Sequence, residues 1–127
     1  GIEVSSQNQI SENLSIVPSI TYVRSKDLDS NYNFLPKRPE FFGSFTATYG
    51  INAVNVGTQM NFKNNTKENA TSENDDYVIV RLFGNYEISD DLIFHARIEN
   101  LFDEKYEEVI GYPALGRAVH AGLTYNF

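Results

Sequence analysis

Seven stretches of this chain place apolar residues at every second position, and the connections between them alternate strictly between short and long. No other feature constrains the fold as tightly. Period two is the signature of a strand with one dry face, because successive side chains point to opposite sides of a sheet. The first stretch sets Ile2, Val4 and Ile10 on one side, and the second Leu14, Ile16, Pro18, Ile20 and Tyr22. Phe41, Phe45, Ala47 and Tyr49 follow in the third, then Val54, Val56, Thr58, Met60 and Phe62 in the fourth. The fifth carries Val78, Val80, Leu82, Tyr86 and Ile88, and the sixth Leu92, Phe94, Ala96 and Ile98. The seventh, Val119, Ala121, Leu123, Tyr125 and Phe127, runs to the carboxylate. Tight turns near "SEN", "GIN" and "SDD" join the first stretch to the second, the third to the fourth and the fifth to the sixth. The other connections are long and polar: "SKDLDSNYNFLPKRP", "NNTKENATSENDD" and "DEKYEEVIGYPALG".

Short turns at one rim and long loops at the other are the pattern of an antiparallel, up-and-down transmembrane β-barrel. The aromatic residues agree. Tyr49, Tyr86, Phe94, Tyr125 and Phe127 lie near the short turns, and Tyr22, Phe41, Phe62 and Phe102 near the long loops. Between them come Ile20, Val56, Leu82, Ala96 and Leu123, so two girdles flank an aliphatic band, as on a lipid-facing wall. Phe45 and Phe83 depart from this rule. The polar faces would then line a lumen, with Gln59, Asn61, Arg81, Asn85, His95, Arg97, Glu99 and His120 looking inward. Pro18 removes a ladder donor from a strand that should be internal, which predicts a bulge.

The chain has 127 residues and is at most one domain or a piece of one. Its net charge of -7 argues against nucleic acid as a partner. It has no Cys, hence no thiolate site, and no run of apolar residues long enough for a transmembrane helix. The motifs G-x-S-x-G and H-E-x-x-H and a phosphate-cradling glycine loop do not occur, so no enzyme is expected. His95 and His120 would share a metal ion only if their strands set them opposite each other, with Glu99 as a third ligand. Hydrated or packed lumenal residues are the plainer reading, and no metal site or cofactor is expected. The acidic runs Asp27/Asp29, Glu73/Asp75/Asp76 and Asp103/Glu104/Glu107/Glu108 read as solvated loop charge; the sharper alternative is that they collect cations or touch divalent-bridged lipopolysaccharide.

The last third, "ARIENLFDEKYEEVIGYPALGRAVHAGLTYNF", resembles the C-terminal signature of TonB-dependent outer-membrane receptors. The elements that carry it are Asn100-Leu101-Phe102-Asp103-Glu104-Lys105-Tyr106, then Gly111-Tyr112-Pro113, then Gly116-Arg117 opening a final strand that ends in Phe. Upstream, "LPKRPEFFGSFTATY" is similar to the family's L-x-R-R-P stretch, with Lys37 in place of the first Arg. The vitamin B12 and siderophore receptors are the most similar subgroup. The resemblance implies a barrel of about 22 strands with a plugged lumen. Such a barrel in the bacterial outer membrane moves a scarce metal chelate of siderophore, haem or cobalamin type inward.

Residues 1–127 would be the C-terminal part of that barrel domain, about seven strands, with the plug and earlier strands absent. An odd count fits this, since complete bacterial barrels use even numbers from about eight upward. The implied partners are outer-membrane lipid and lipopolysaccharide, the rest of the barrel and its plug, the assembly machinery, and the energy-coupling protein TonB acting through a part outside this chain. Val119, Ala121, Leu123, Tyr125 and Phe127 would form the C-terminal assembly signal. Arg117 is expected to order its loop through local hydrogen bonds rather than to grip a ligand. Two other readings remain at this point: a small outer-membrane barrel, scaffold or adhesin completed by another chain, and a soluble β-barrel binder. The last requires the apolar face to be enclosed as a core.

Overall fold

In the computed structural model, the described residues (1–26, 34–69 and 71–127) form strands, turns and irregular connections. The strands are β1 (Ile2–Ser5), β2 (Asn8–Gln9), β3 (Leu14–Tyr22), β4 (Pro39–Ile51), β5 (Val54–Lys67) and β6 (Glu73–Asn74). They continue as β7 (Tyr77–Ser89), β8 (Leu92–Glu99), β9 (Glu107–Val109), β10 (Tyr112–Pro113) and β11 (Ala118–Tyr125). The main sheet runs β1-β3-β4-β5-β7-β8-β11, every neighbour antiparallel and next along the path. β2 pairs with β3 beside β1, β6 pairs with the far end of β5, and β9 and β10 form a separate hairpin. Each alternating stretch of the sequence is thus a strand of one up-and-down sheet.

The turns are where the sequence places them. Ile51 pairs with Val54 across a turn in which Asn52 adopts φ 51°, a left-handed conformation that Asn tolerates. Ser89 and Leu92 pair across Asp90 and Asp91. At the opposite rim β4, β5 and β7 extend to 13, 14 and 13 residues. A tilted strand needs only about 9–11 residues to cross a bilayer, and these three are longer than a crossing requires.

Pro18 does not make a bulge. Its register against β4 is unbroken, from Leu14↔Tyr49 through Pro18↔Phe45 to Tyr22↔Phe41. The missing N–H faces the other neighbour. The Pro18 carbonyl accepts from the Ser6 N–H at 3.2 Å, and the N–H that would return the bond does not exist. The interruption therefore falls on the adjacent strand, which is split into β1 and β2 while the register stays constant, Ser5↔Ser19 on one side and Asn8↔Ile16 on the other.

The register carries the two faces across the whole sheet. Val56, Gly84, Ala96 and Ala121 form one outward row, and Val54, Tyr86, Phe94 and Leu123 the next toward the short turns. Among the described residues no hydrophobic side chain is buried; Ile20, Leu82 and Leu123 are 41%, 38% and 65% exposed. A soluble β-barrel binder would enclose these residues, and the described residues do not enclose them. The two rings that break the girdle rule have different explanations. Phe83 points inward and covers Gly57, where an added Cβ would lie 2.5 Å from its ring. Phe45 faces outward in the band, in a row with Pro18, Met60 and Val80.

Candidate functional site

The inner wall carries the polar side chains that alternation assigns to it. Arg81 donates from Nε to Glu99 Oε2 at 2.7 Å and from Nη1 to Gln59 Oε1 at 3.3 Å. Arg97 Nε reaches the other carboxylate oxygen of Glu99 at 3.1 Å. A carboxylate held by two guanidinium groups is a poor third ligand for a metal ion. The histidines are not opposite each other either: His95 pairs with Gly122, and His120 with Arg97. His95 Nε2 instead bonds Thr124 Oγ1 at 2.9 Å. Among the described residues no three His, Asp or Glu side chains gather into a metal site. Asn55, Asn85, His95, Arg97 and His120 line a shallow concavity of about 660 Å³ on this face, beside the short-turn rim.

The second constellation closes the loop between β8 and β11, and here the signature residues converge. Asn100 is 4% exposed and lies at φ 48°. Its Nδ2 donates to the carbonyls of Glu104 (2.9 Å) and Leu115 (3.2 Å), while its Oδ1 accepts the Glu104 N–H at 2.8 Å. One side chain thus ties the start of the loop to its end. Leu101 continues the ladder through its N–H to the Val80 carbonyl, at 2.8 Å. Asp103, at φ 56°, accepts the Arg117 N–H at 2.8 Å and Lys105 Nζ at 3.0 Å. The backbone N–H of Arg117, and then Lys105, hold its carboxyl below the ordinary carboxylate range. Gly116 is required by proximity: a Cβ there would sit 2.6 Å from Asp103 Oδ1. Arg117 Nη1 also donates to the Leu101 carbonyl at 3.3 Å, so its contacts are local ones that order the loop. The Tyr106 ring lies 4.1 Å from that of Tyr77, and burial followed by the nearby Glu108 raises its phenol above the usual value. Phe102 stands apart, 71% exposed.

β11 pairs with β8 over its full length, from Ala118↔Glu99 to Tyr125↔Leu92, and ends the sheet. Val119, Leu123 and Tyr125 project outward at 72%, 65% and 63% exposure, with Ala121 on the same face, and Phe127 is fully exposed. Of the acidic runs, Asp75 and Asp76 bind the loop backbone, at Glu107 N and Asn65 N, and Asp76 also accepts from Asn64 Nδ2. Asp27 and Asp29 lie outside the described residues. Sequence reasoning missed the buried Thr66 and Asn74 at the tip of β5 and β6, which are 3% and 6% exposed.

No protein-family model matches the chain. Over 106 residues it is 30% identical to the vitamin B12 transporter BtuB of Vibrio cholerae serotype O1, covering 78% of this chain and 17% of that protein. A stretch of 42 residues is 48% identical to BtuB of Vibrio vulnificus, covering 33% of this chain and 7% of the relative. Among solved structures, the copper transporter OprC superposes with a TM-score of 0.83 at 20% identity, over 98% of this chain and 23% of OprC. The ferric-catecholate import receptor Fiu of E. coli K12 does so with a TM-score of 0.81 at 20% identity, over 98% of this chain and 20% of Fiu. The chain matches a segment of a TonB-dependent receptor barrel. TonB-dependent receptors are outer-membrane β-barrels of a transporter family, not enzymes. The segment spans 17% of the length of the curated TonB-dependent relatives it matches over 106 residues.

Proposed function

We propose that this chain forms part of the wall of an outer-membrane receptor that imports a scarce metal chelate, of siderophore, haem or cobalamin type. One observation carries the reading. Seven antiparallel strands in simple order present a continuous apolar face outward and a charged, hydrogen-bonded face inward, with no hydrophobic core among the described residues. Such a sheet is stable only if lipid covers one side and a wide, hydrated or plugged interior the other. The similar proteins described above transport vitamin B12, copper and a ferric catecholate, each a metal-containing cargo, which supports the cargo class.

Within that reading, the rest of the barrel and a plug supply the gate, and TonB supplies energy through a segment outside this chain. The Asn100–Asp103–Arg117 clasp orders the loop between β8 and β11 through its local hydrogen bonds. The outward residues Val119, Ala121, Leu123, Tyr125 and Phe127 present the assembly machinery with alternating apolar side chains and an aromatic at the end of the strand. The test is uptake by cells whose only such receptor is the intact protein, offered labelled cobalamin, haem and a ferric catecholate in turn. One chelate should accumulate, and deleting TonB should stop it. Accumulation of none, or uptake indifferent to TonB, contradicts the proposal.

A further inference from the structure

We propose that the β5–β6 hairpin joins the segment around Lys37 and the β9–β10 hairpin into one cooperative unit at the long-loop rim. A displacement imposed on any one of the three is then passed to the other two. Connectivity alone does not require this. Each piece belongs to a different long connection, β3 to β4, β5 to β7 and β8 to β11, and each could move on its own pair of strands.

The β5–β6 hairpin is bonded on both sides. Within it Thr66 pairs with Asn74 and Lys67 with Glu73, and the Glu68 N–H donates to the Ser72 carbonyl at 2.9 Å. On one side the Lys37 N–H donates to the Lys67 carbonyl at 2.7 Å, and Lys37 Nζ lies 3.0 Å from Glu68 Oε1. The Glu68 side chain is 14% exposed, so its charge is screened less than that of an ordinary surface pair. Lys67 Nζ also stands 5.0 Å from the centre of the Phe34 ring, in the same connection as Lys37.

On the other side the strands do not pair: β6 pairs with β5, and β9 with β10. Side chains take the place of the ladder. Asn74 Nδ2 donates to the Glu108 carbonyl at 2.7 Å, and Asp75 Oδ2 accepts the Glu107 N–H at 3.2 Å. The Tyr77 hydroxyl donates to Glu108 Oε1 at 2.9 Å, and its ring lies 4.1 Å from that of Tyr106. The Gly111 N–H in turn donates to Glu107 Oε2 at 2.7 Å, so the turn of the β9–β10 hairpin follows β9.

Burial makes these contacts cooperative. Asn74 is 6% exposed, so drawing β9 away leaves its amide without a partner and without water unless the β5–β6 hairpin opens too. Opening that hairpin releases Lys67 and Glu68, which hold Lys37. Each separation is therefore costly alone and cheaper with the others, which is the condition for a single opening unit.

The inference concerns the fold and holds whichever cargo the receptor carries. Its test is hydrogen exchange of the intact, folded receptor, read by mass spectrometry with fragmentation at the Lys37 and Glu107 amides. The natural protein is compared with Tyr77→Phe, which keeps the ring against Tyr106 and loses the bond to Glu108, and with Glu68→Gln, which removes the charge facing Lys37. Both are near-isosteric, and either carries the test should the other fail to fold. Each variant should speed exchange at both amides by the same factor, about three- to tenfold for the loss of one such interaction. Acceleration confined to the side that bears the substitution, or absent from both sides, overturns the unit. Acceleration that also reaches the ladder amides of residues 44–48 overturns it as well, since the opening would then be that of the whole sheet.

Discussion

Replacing Asn100 with Ala removes the side chain that holds both ends of the β8–β11 loop together. Three hydrogen bonds disappear, those with the Glu104 carbonyl, the Leu115 carbonyl and the Glu104 N–H. At about 1 kcal/mol net for each, the bonds account for about 3 kcal/mol. A left-handed φ of 48° adds roughly 1 kcal/mol against Ala, which tolerates that region less well than Asn. Part of this is recovered, because Glu104 and Leu115 lie at the surface and their freed groups can bind water. A local destabilisation of about 2–3 kcal/mol remains.

Since about 1.4 kcal/mol is tenfold in an equilibrium constant, amide exchange through loop opening should accelerate roughly 30- to 150-fold. The informative probes are the amides of Asp103 and Arg117, which bond the Asn100 carbonyl and Asp103 Oδ1 and are not touched by the substitution itself. Hydrogen exchange of the folded receptor, read by mass spectrometry over residues 100–117, measures this directly. Asn100→Gly provides the control. It loses the same bonds but suits the positive φ, so it should recover about 1 kcal/mol relative to Ala. Exchange at Arg117 within threefold of the natural protein in Asn100→Ala, or faster opening in Asn100→Gly than in Asn100→Ala, refutes the clasp.

Three further outcomes follow from the same geometry. Leu123→Arg should cost about 2–4 kcal/mol in a bilayer unfolding measurement if the site lies near the midplane, whereas Thr124→Arg, one residue along and facing the interior, should cost far less. Because the Asp103 carboxyl is held below its ordinary value, its contribution to loop order is present above that value and lost as pH falls through the lowered one. Protection of the Arg117 amide should therefore be flat from pH 7 to 5, decline only below the ordinary 3.8, and lose this dependence in Asp103→Asn. Phe127→Ala should lower the amount of receptor inserted in the outer membrane of growing cells, scored by heat-modifiable migration, while Asn126→Ala leaves it unchanged.

The sequence shows the strands and their faces plainly because a sheet that is dry on one side forces period two on every strand, so that Leu14–Tyr22 and Leu92–Glu99 can be bounded to the residue. It shows much less of what depends on relations between strands. Whether His95 meets His120 depends on a two-residue offset in the β8–β11 register, which no single-strand pattern contains. The effect of Pro18 falls on a neighbouring strand, because the direction in which its N–H would have pointed is a property of the ladder. Phe83 reads as an exception until it is seen covering Gly57, a contact separated by 26 positions in the chain. The buried oxygens of Thr66 and Asn74 are invisible in sequence, where "NNTKENATSENDD" reads only as a polar loop.

The central claim is that the apolar face of this sheet meets hydrocarbon and the polar face an interior. Nitroxide labels at single cysteines introduced from 118 to 125 test it most directly, since this chain contains no cysteine of its own. With the receptor in lipid bilayers, spin relaxation by dissolved oxygen and by a water-soluble nickel chelate should alternate with period two. Labels at Val119, Ala121 and Leu123 should favour oxygen, and those at His120, Gly122 and Thr124 should not. The reverse phase, or equal exposure to both reagents along the strand, contradicts the account.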